Sequence, residues 1–589
     1  MQDAETVLGV LRERGRKGLP CNELFRQLFN KELYLMAYGR IYANHGALTP
    51  GATAETADGM SEGRIDAIIA AMRHERYRFS PARRVHIPKK NGKLRPLGLP
   101  TWSDKLVGEV VRLLLEAYYE PTFSDHSHGF RPGRGCHTAL RKIQRAWTGT
   151  TWFIEGDISD CFGSLDHEIM LRNLAEKIHD NRFLRLIANM LKAGYLEDWK
   201  YHATLSGSPQ GGVVSPILSN IYLDKLDKFV EQALIPKDPQ RKRRTNPEYG
   251  RKTAELRRAR RNGDRVLARS LRLELRKLPA RDPQDPGYRR LRYSRYADDH
   301  ILGFTGPKAE AEAIKDQLEA FLRDELKLEL NREKTLITHA RTRAARYLGY
   351  EITVQHSDTK LTNGRRSVTG GVALRVPLDV IKAKRAPYRK KGKPWHRPGL
   401  QNLDDYDIVQ AYGAEYRGIV GYYMLAHDVW RLNELEWYAK MSMLKTLAAK
   451  HQSTVTKMAT RHKAKTETPY GLRTCFEARI KRKDKPDLVA RFGGIPLVQD
   501  MRSVITDRIP APPPAPRKEL VRRLLTRRCE LCGDPDTVDV HQVRKLTSLG
   551  PGPDRPAWAQ KMAQMRRKTL VVCAPCHEVI HAQPVTPAA

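Results

Sequence analysis

The chain has 589 residues, too many for one hydrophobic core, and length alone predicts about three or four domains. Its 105 Lys plus Arg against 67 Asp plus Glu give a net charge of +38, spread along the chain, which favours extended contact with nucleic acid. A basic membrane-surface protein is the competing explanation, but no apolar run approaches the ~20 residues that cross a bilayer and Met1–Leu11 lacks a signal-peptide pattern, so soluble and intracellular is the simplest expectation.

Residues 1–80 combine helix-like runs, Asn22–Ala43 and Glu62–Arg73, with a Gly- and Ala-rich loop around Gly46–Gly59. In RRVHIPKKNGKLRPLGLPTWSDKL, Arg83–Leu106, two strand segments flank an Asn91-Gly92 turn and carry Arg83, Arg84, Lys89, Lys90, Lys93 and Arg95. Such a hairpin suits phosphate gripping or a solvated surface, and composition does not choose between them. An amphipathic helix over Lys105–Tyr118 precedes SHGFRPGRGCHTAL, Ser127–Leu140. There Gly129, Pro132, Gly133 and Gly135 hold a loop open, and Arg131 and Arg134 supply charge for a nucleic-acid backbone.

FIEGDISDCFGSLDH, Phe153–His167, delivers Asp157 at the end of an apolar strand, with Phe162 five residues on and Asp166 beyond. SGSPQGGVVSPILSNIYLDKLD, Ser206–Asp227, supplies a turn with Gln210, Gly211 and Gly212 that can approach a base pair closely, then a helix with Ser215 as its N-cap and Pro216 at its first position. Residues 236–290 are a basic insertion, in which Leu267, Leu271, Leu275 and Leu278 predict a stripe packed on the body with Arg257, Arg258, Arg260 and Arg261 facing out.

RYADDHILGF, Arg295–Phe304, reads as a tight hairpin with Asp298 and Asp299 at its turn. Adjacent carboxylates in an apolar setting repel each other unless a cation neutralises them. With Asp157 as a third oxygen donor the set suits magnesium, which keeps water and substrate phosphate in its shell.

Residues 375–465 form an aromatic and basic helical region, in which Ile408, Tyr412, Tyr416, Ile419 and Tyr423 recur at helical spacing, as do Met441, Leu444, Leu447 and Ala448. Lys440, Lys445 and Lys450 between them are candidates for gripping RNA. A basic run, Arg479–Pro486, and a proline-rich linker, Pro510–Pro516, follow. Near the C-terminus, Cys529 and Cys532, then Cys573 and Cys576, make two CxxC pairs that match a closed tetrahedral zinc site. His541 ends a strand-like stretch, and His577 and His581 share one helical face, so three imidazoles can hold a second, exchangeable metal. A zinc knuckle that only binds nucleic acid is the competing reading.

Taken in order, residues from about 60 to 350 resemble the fingers and palm of a reverse transcriptase, specifically of the proteins encoded within group II introns. Asp157, the SPQGG turn, Tyr296, Ala297, Asp298 and Asp299 carry the resemblance, with LELNREKT, Leu328–Thr335, and the primer-grip-like RYLGYEI, Arg346–Ile352. Residues 375–465 resemble the thumb, or maturase, domain of that family, and the C-terminal cysteines and histidines resemble its His-Asn-His (HNH) endonuclease domain. Gln542 stands where many such nucleases have a general-base histidine, and Thr569 where an asparagine is usual.

The resemblance implies a multidomain α+β chain. Its expected parts are an N-terminal extension and fingers over 1–150, a palm over 151–374, an α-helical thumb over 375–465, a DNA-binding segment and linker over 466–516, and a small zinc-containing ββα HNH domain over 517–589. It further implies that Asp157, Asp298 and Asp299 hold two magnesium ions and that Lys93 and Arg95 neutralise the incoming dNTP. Phe162 would favour deoxynucleotides, and Lys334 would either donate to the leaving group or order its strand. At the nuclease site, His541, His577 and His581 would hold a further ion, expected as magnesium. Expected partners are the intron RNA, in a ribonucleoprotein, and target DNA, with a cytoplasmic or nucleoid-associated bacterial setting. Two rivals stay open: a retroelement polymerase without an intron partner, and a splicing maturase with vestigial polymerase or nuclease activity.

Overall fold

The computed structural model describes residues 3–583 except 89–91, 93, 199, 205, 208–211, 236–241, 283–284, 358–359, 483–484, 507–518 and 550–554. Lys93, Gln210 and Gly211 therefore lie outside the described residues.

One core gathers around the helix Trp102–Tyr119, capped by Thr101 and buried on nearly every side. Its Arg112 and Glu109 are buried as a pair at 2.5 Å, and the helices Ala4–Arg16, Lys31–Ile41 and Ser215–Phe229 share its core. The basic hairpin pairs Ala82–Pro88 with Leu94–Leu99, and its first strand runs parallel to Tyr195–Glu197. Ser215 is the first residue of its helix rather than the N-cap, which is Val214.

Four antiparallel strands form the palm sheet in the order Arg290–Tyr296, Asp299–Thr305, Trp152–Gly156, Ile337–His339. Alternate side chains of Asp299–Thr305 feed opposite cores: Leu302 and Phe304 join the first, and Ile301 joins a second with the thumb helices. A Cβ at Gly156 would lie 2.2 Å from the His300 ring, so only glycine lets these two strands close beside the turn.

The insertion folds as a helical hairpin, Pro247–Arg261 and Arg265–Leu275, around a small core of its own: Leu256, Ala259, Ala268 and Leu271. This corrects the expected stripe on the body, because Leu267 is 47% exposed and Leu271 packs on the neighbouring insertion helix. Arg257, Arg258, Arg260 and Arg261 are exposed.

In the thumb, helices Asp405–Tyr423 and Asn433–Lys450 bury Ile408, Tyr412, Tyr416, Leu444 and Leu447. The Nζ of Lys445 donates to Pro394 O at 3.0 Å, and that of Lys450 pairs with Asp405 at 2.8 Å, so both are spent inside the fold. The chain then continues past residue 465 as an antiparallel sheet, Lys463–Thr466, Arg473–Arg482 and Lys485–Gly493, whose Ala478, Ala490 and Phe492 enter the thumb core.

The C-terminal region pairs Val538–Gln542 with Thr569–Cys573 and adds the helix Ala574–Ala582, the expected ββα order. Its sheet has a third strand that was not expected, Met60–Ser61, which pairs with Val540 and Asp539. Among the described residues no helix is long and apolar enough to cross a membrane.

Candidate functional site

The hairpin turn is Ala297-Asp298, with Tyr296 opposite Asp299, so Asp299 is the first residue of the second strand and not of the turn. Ala297 adopts φ 55°, a left-handed conformation that a tight two-residue hairpin demands and alanine resists. The turn is held from beneath by Arg295, which is fully buried and uses all five of its donors. Two go to Asp227, at 2.7 and 2.6 Å, and one each to Ala297 O at 2.9 Å, Ser127 Oγ at 2.9 Å and Asn220 Oδ1 at 3.3 Å. Asn220 and Asp227 lie seven apart on one face of Ser215–Phe229, and Asn220 also donates to Gly129 O at 3.0 Å. The Gly129 backbone touches the turn so closely that a Cβ there would lie 2.5 Å from Ala297 N.

This network changes the reading of the Gly- and Arg-rich loop. Arg131, expected to meet nucleic acid, is 2% exposed; it pairs with Glu120 at 2.9 Å and donates to Ser124 O and Ser127 O at 2.6 and 2.8 Å. The loop braces the hairpin, and Arg131 braces the loop. Tyr296 is half-buried beside Phe130, ring centroids 6.2 Å apart.

Asp157 leaves the strand Trp152–Gly156 next to this turn. Burial, then repulsion from Asp157, raises the Asp298 carboxyl above its ordinary value, and Asp299 is pushed up to about 7 by burial, Asp298 and Asp157. Lys334 Nζ reaches Asp157 Oδ2 at 2.7 Å, and the charge of exposed Arg95 is felt at Asp298. Two half-buried carboxylates raised by burial and by crowding, with a third beside them, are the donor set that a hard divalent cation relieves. Phe162 follows Asp157 on a short turn of helix, and Gly207, at the start of the SPQGG stretch, packs against its carbonyl. The primer-grip-like hairpin turns at Leu348-Gly349, both at positive φ, and the hydroxyls of thumb residues Tyr422 and Tyr423 donate to their carbonyls at 2.8 and 3.0 Å.

At the C-terminal end, the sulfurs of Cys529, Cys532, Cys573 and Cys576 lie within 4.8 Å of one another, and Cys532 and Cys573 are 3.7 Å apart. That spacing is the edge of a tetrahedron with bonds of ~2.3 Å, the geometry of a four-thiolate zinc site. A second group brings together His541, His577 and His581 as expected, and adds Asp58, which carries no motif. His541 is 6% exposed; its Nδ1 faces Asp58 Oδ1 at 3.2 Å, and among the described residues its Nε2 has no hydrogen-bond partner. The acidic residues Asp539 and Asp58 raise His577 to about 9, and although burial opposes it, His541 and His577 hold the Asp58 carboxyl well below the usual carboxylate range. Three imidazoles suit a borderline transition ion better than magnesium, which prefers oxygen ligands, so the donor set does not fit the magnesium expected here. Gln542, in the general-base position, is a docking residue: its N–H donates to Asp58 Oδ1 at 2.7 Å and its side-chain amide to Tyr42 O at 2.8 Å. Thr569 pairs with Gln542 across the sheet, and its carbonyl accepts from Arg523 at 3.0 Å.

Residues 87–352 match the reverse transcriptase (RNA-dependent DNA polymerase) family, 378–493 the type II intron maturase family, and 529–577 the AI2M/AI1M-like HNH endonuclease family. The maturase match takes in the sheet that follows the thumb helices. The group II intron-encoded protein LtrA of Lactococcus lactis subsp. cremoris is 39% identical over 587 residues, covering 95% of each chain. A 91 kDa protein in the cob intron of Schizosaccharomyces pombe is 32% identical over 582 residues, covering 95% of this chain and 69% of that one. The putative COX1/OXI3 intron 1 protein of Saccharomyces cerevisiae is 29% identical over 600 residues, with coverage of 95% and 69%. The chain belongs to the group II intron-encoded proteins, and joins an RNA-directed DNA polymerase, a maturase and an HNH endonuclease in one polypeptide.

Proposed function

We propose that this protein binds the RNA of its own intron, assists its splicing, and copies it into DNA from a primer end that its nuclease cuts in the target. The observation that carries the copying step is the convergence of Asp157, Asp298 and Asp299 at one end of the palm sheet, on a turn fixed by a fully buried arginine. These three residues would hold magnesium, which eases deprotonation of the primer 3′-hydroxyl and offsets charge on the leaving pyrophosphate. Lys334 pairs with Asp157 at 2.7 Å and would donate to the leaving group. As the resemblance implies, Arg95 and Lys93 would neutralise the triphosphate, Gln210 and Gly211 would approach the base pair, and Phe162 would close the sugar edge against a 2′-hydroxyl. Cys529, Cys532, Cys573 and Cys576 would hold a structural zinc.

Binding of intron RNA is supported by the basic cleft of about 830 Å³ between insertion and palm, walled by Arg243, Arg276, Arg281, Arg290, Arg292 and Arg366. Charge at that density favours a phosphate backbone over any uncharged partner. The test is Asp298→Ala: primer extension on an RNA template with magnesium falls to background, and splicing of the intron RNA proceeds at the wild-type rate. Extension by that variant would overturn the assignment of the site.

A further inference from the structure

The cluster at the C-terminal end is built from both ends of the chain. Asp58 lies on the N-terminal segment just before the strand Met60–Ser61, which pairs with the middle of the nuclease strand that carries His541. Gly59, at φ 72°, turns the chain there, and its N–H donates to Val540 O at 2.9 Å. The turn aims the Asp58 carboxylate at the three imidazoles. Its Oδ1 is 3.2 Å from His541 Nδ1, and its Oδ2 is 3.0 Å from His581 Nε2 and 3.5 Å from His577 Nε2. The two helix histidines are 3.2 Å apart, Nε2 to Nε2.

The three separations among Asp58 Oδ2, His577 Nε2 and His581 Nε2 bracket ~3.3 Å, the edge of a tetrahedron whose bonds are ~2.0 Å, the length of zinc–imidazole and zinc–carboxylate bonds, and His541 completes the group with a ligand atom within 4.8 Å of the others. The segment is also firmly seated. Ala57 and Met60 are fully buried in a core shared with Leu524, Val538 and Val571, while Gln542, Arg544 and Arg527 reach Tyr42, Leu48 and Glu62.

We infer that Asp58 is the fourth ligand of the nuclease metal centre, so that one divalent transition ion is held jointly by the N-terminal extension and the C-terminal domain. The inference rests on the assignment of His541, His577 and His581 as metal ligands and adds to it the residue that closes the shell. A catalytic zinc-type site keeps three protein ligands and one open position; here the open position is filled from the other end of the chain. A phosphate oxygen of DNA would reach the ion by displacing Asp58 or by adding a fifth ligand, and release of Asp58 would loosen the grip between the two regions. Metal binding and docking of the 56–61 segment are thereby one linked equilibrium.

The experiment uses the full chain, with its four-cysteine site first filled by one equivalent of zinc. Cobalt(II) is then titrated and followed by its visible absorption, and amide exchange of a peptide covering 56–61 is measured with and without the ion. Wild type is expected to bind cobalt about tenfold or more tightly than Asp58→Ala, and its 56–61 amides to exchange more slowly once the ion is bound. Asp58→Asn preserves the shape and the contact to Gln542 N while removing the charge, and is expected to bind weakly as well. Equal cobalt affinity in wild type and both variants, with no change in exchange, overturns the role of Asp58. Equal affinity in wild type and His577→Ala overturns the underlying assignment of the histidines, an outcome distinct from the first.

Discussion

The two centres of this protein solve the same problem in opposite ways. At the polymerase centre, like charges crowd together, and the fold answers from below: Arg295 and Asp227 form a wholly buried ion pair that fixes the turn while leaving the carboxylates to face outward. At the nuclease centre the donors are complementary, imidazole against carboxylate, and meet at ion-pair distances from segments nearly 500 positions apart. The first is a local site on a distant scaffold. The second is a distant assembly on a small local scaffold. A rigid scaffold tolerates repulsion among its ligands, whereas ligands that attract one another can recruit a segment from elsewhere.

The sharpest way to break this contrast is at the buried pair. Asp227→Leu leaves the Arg295 guanidinium uncompensated in the core, and is expected to lower stability by about 3–5 kcal/mol in denaturant unfolding. The double variant Asp227→Leu with Arg295→Met is expected to recover much of that stability without recovering primer extension, because the turn still lacks its anchor. Next in size, Cys573→Ser removes one thiolate from the C-terminal cluster; limited proteolysis is expected to cut residues 519–583 readily, with primer extension unchanged. Gly129→Ala drives a methyl against Ala297 N, an overpacking cost of about 1–3 kcal/mol, and is expected to reduce extension while leaving cobalt binding untouched. The smallest effect lies at the seam. Arg527, then Lys31, holds the Glu62 carboxyl below its ordinary value. A depressed carboxyl stabilises above its unfolded pKa, and that contribution is lost as pH falls through the folded value. Protection of the amides of residues 56–61, corrected for the intrinsic pH dependence of exchange, is therefore expected to fall modestly in acid, and Glu62→Gln to flatten that dependence.

What the sequence made legible follows the same division. Asp157, Asp298, Asp299 and the two CxxC pairs could be read because their chemistry is written in short strings with strand or turn signals around them. The helix Glu62–Arg73 and the pairing of the basic hairpin were equally local. Arg295 was visible only as the start of a motif, since nothing nearby says that Asp227, Asn220 and Ser127 converge on it. Arg131 was misplaced for a related reason: a basic residue in a glycine-rich loop looks like a phosphate ligand until Glu120 and two carbonyls are seen to claim it. The sheet after the thumb was hidden by its charge, because the basic run Arg479–Pro486 carries no strand signal, while Ala478 before it and Ala490 and Phe492 after it enter the thumb core. Asp58 had no signal at all. It lies in a Gly- and Ala-rich loop, and only the pairing of Met60 with Val540 reveals its partners.

That pairing also sets a clock. Asp58 leaves the ribosome 484 residues before Gln542, a gap of roughly 25–100 s at ~5–20 residues per second. For that interval the polymerase body can fold, but the strand Met60–Ser61 has no edge to join. The newborn protein thus passes through a stage in which its first layer is open, and the seam closes only after residues 538–542 have emerged.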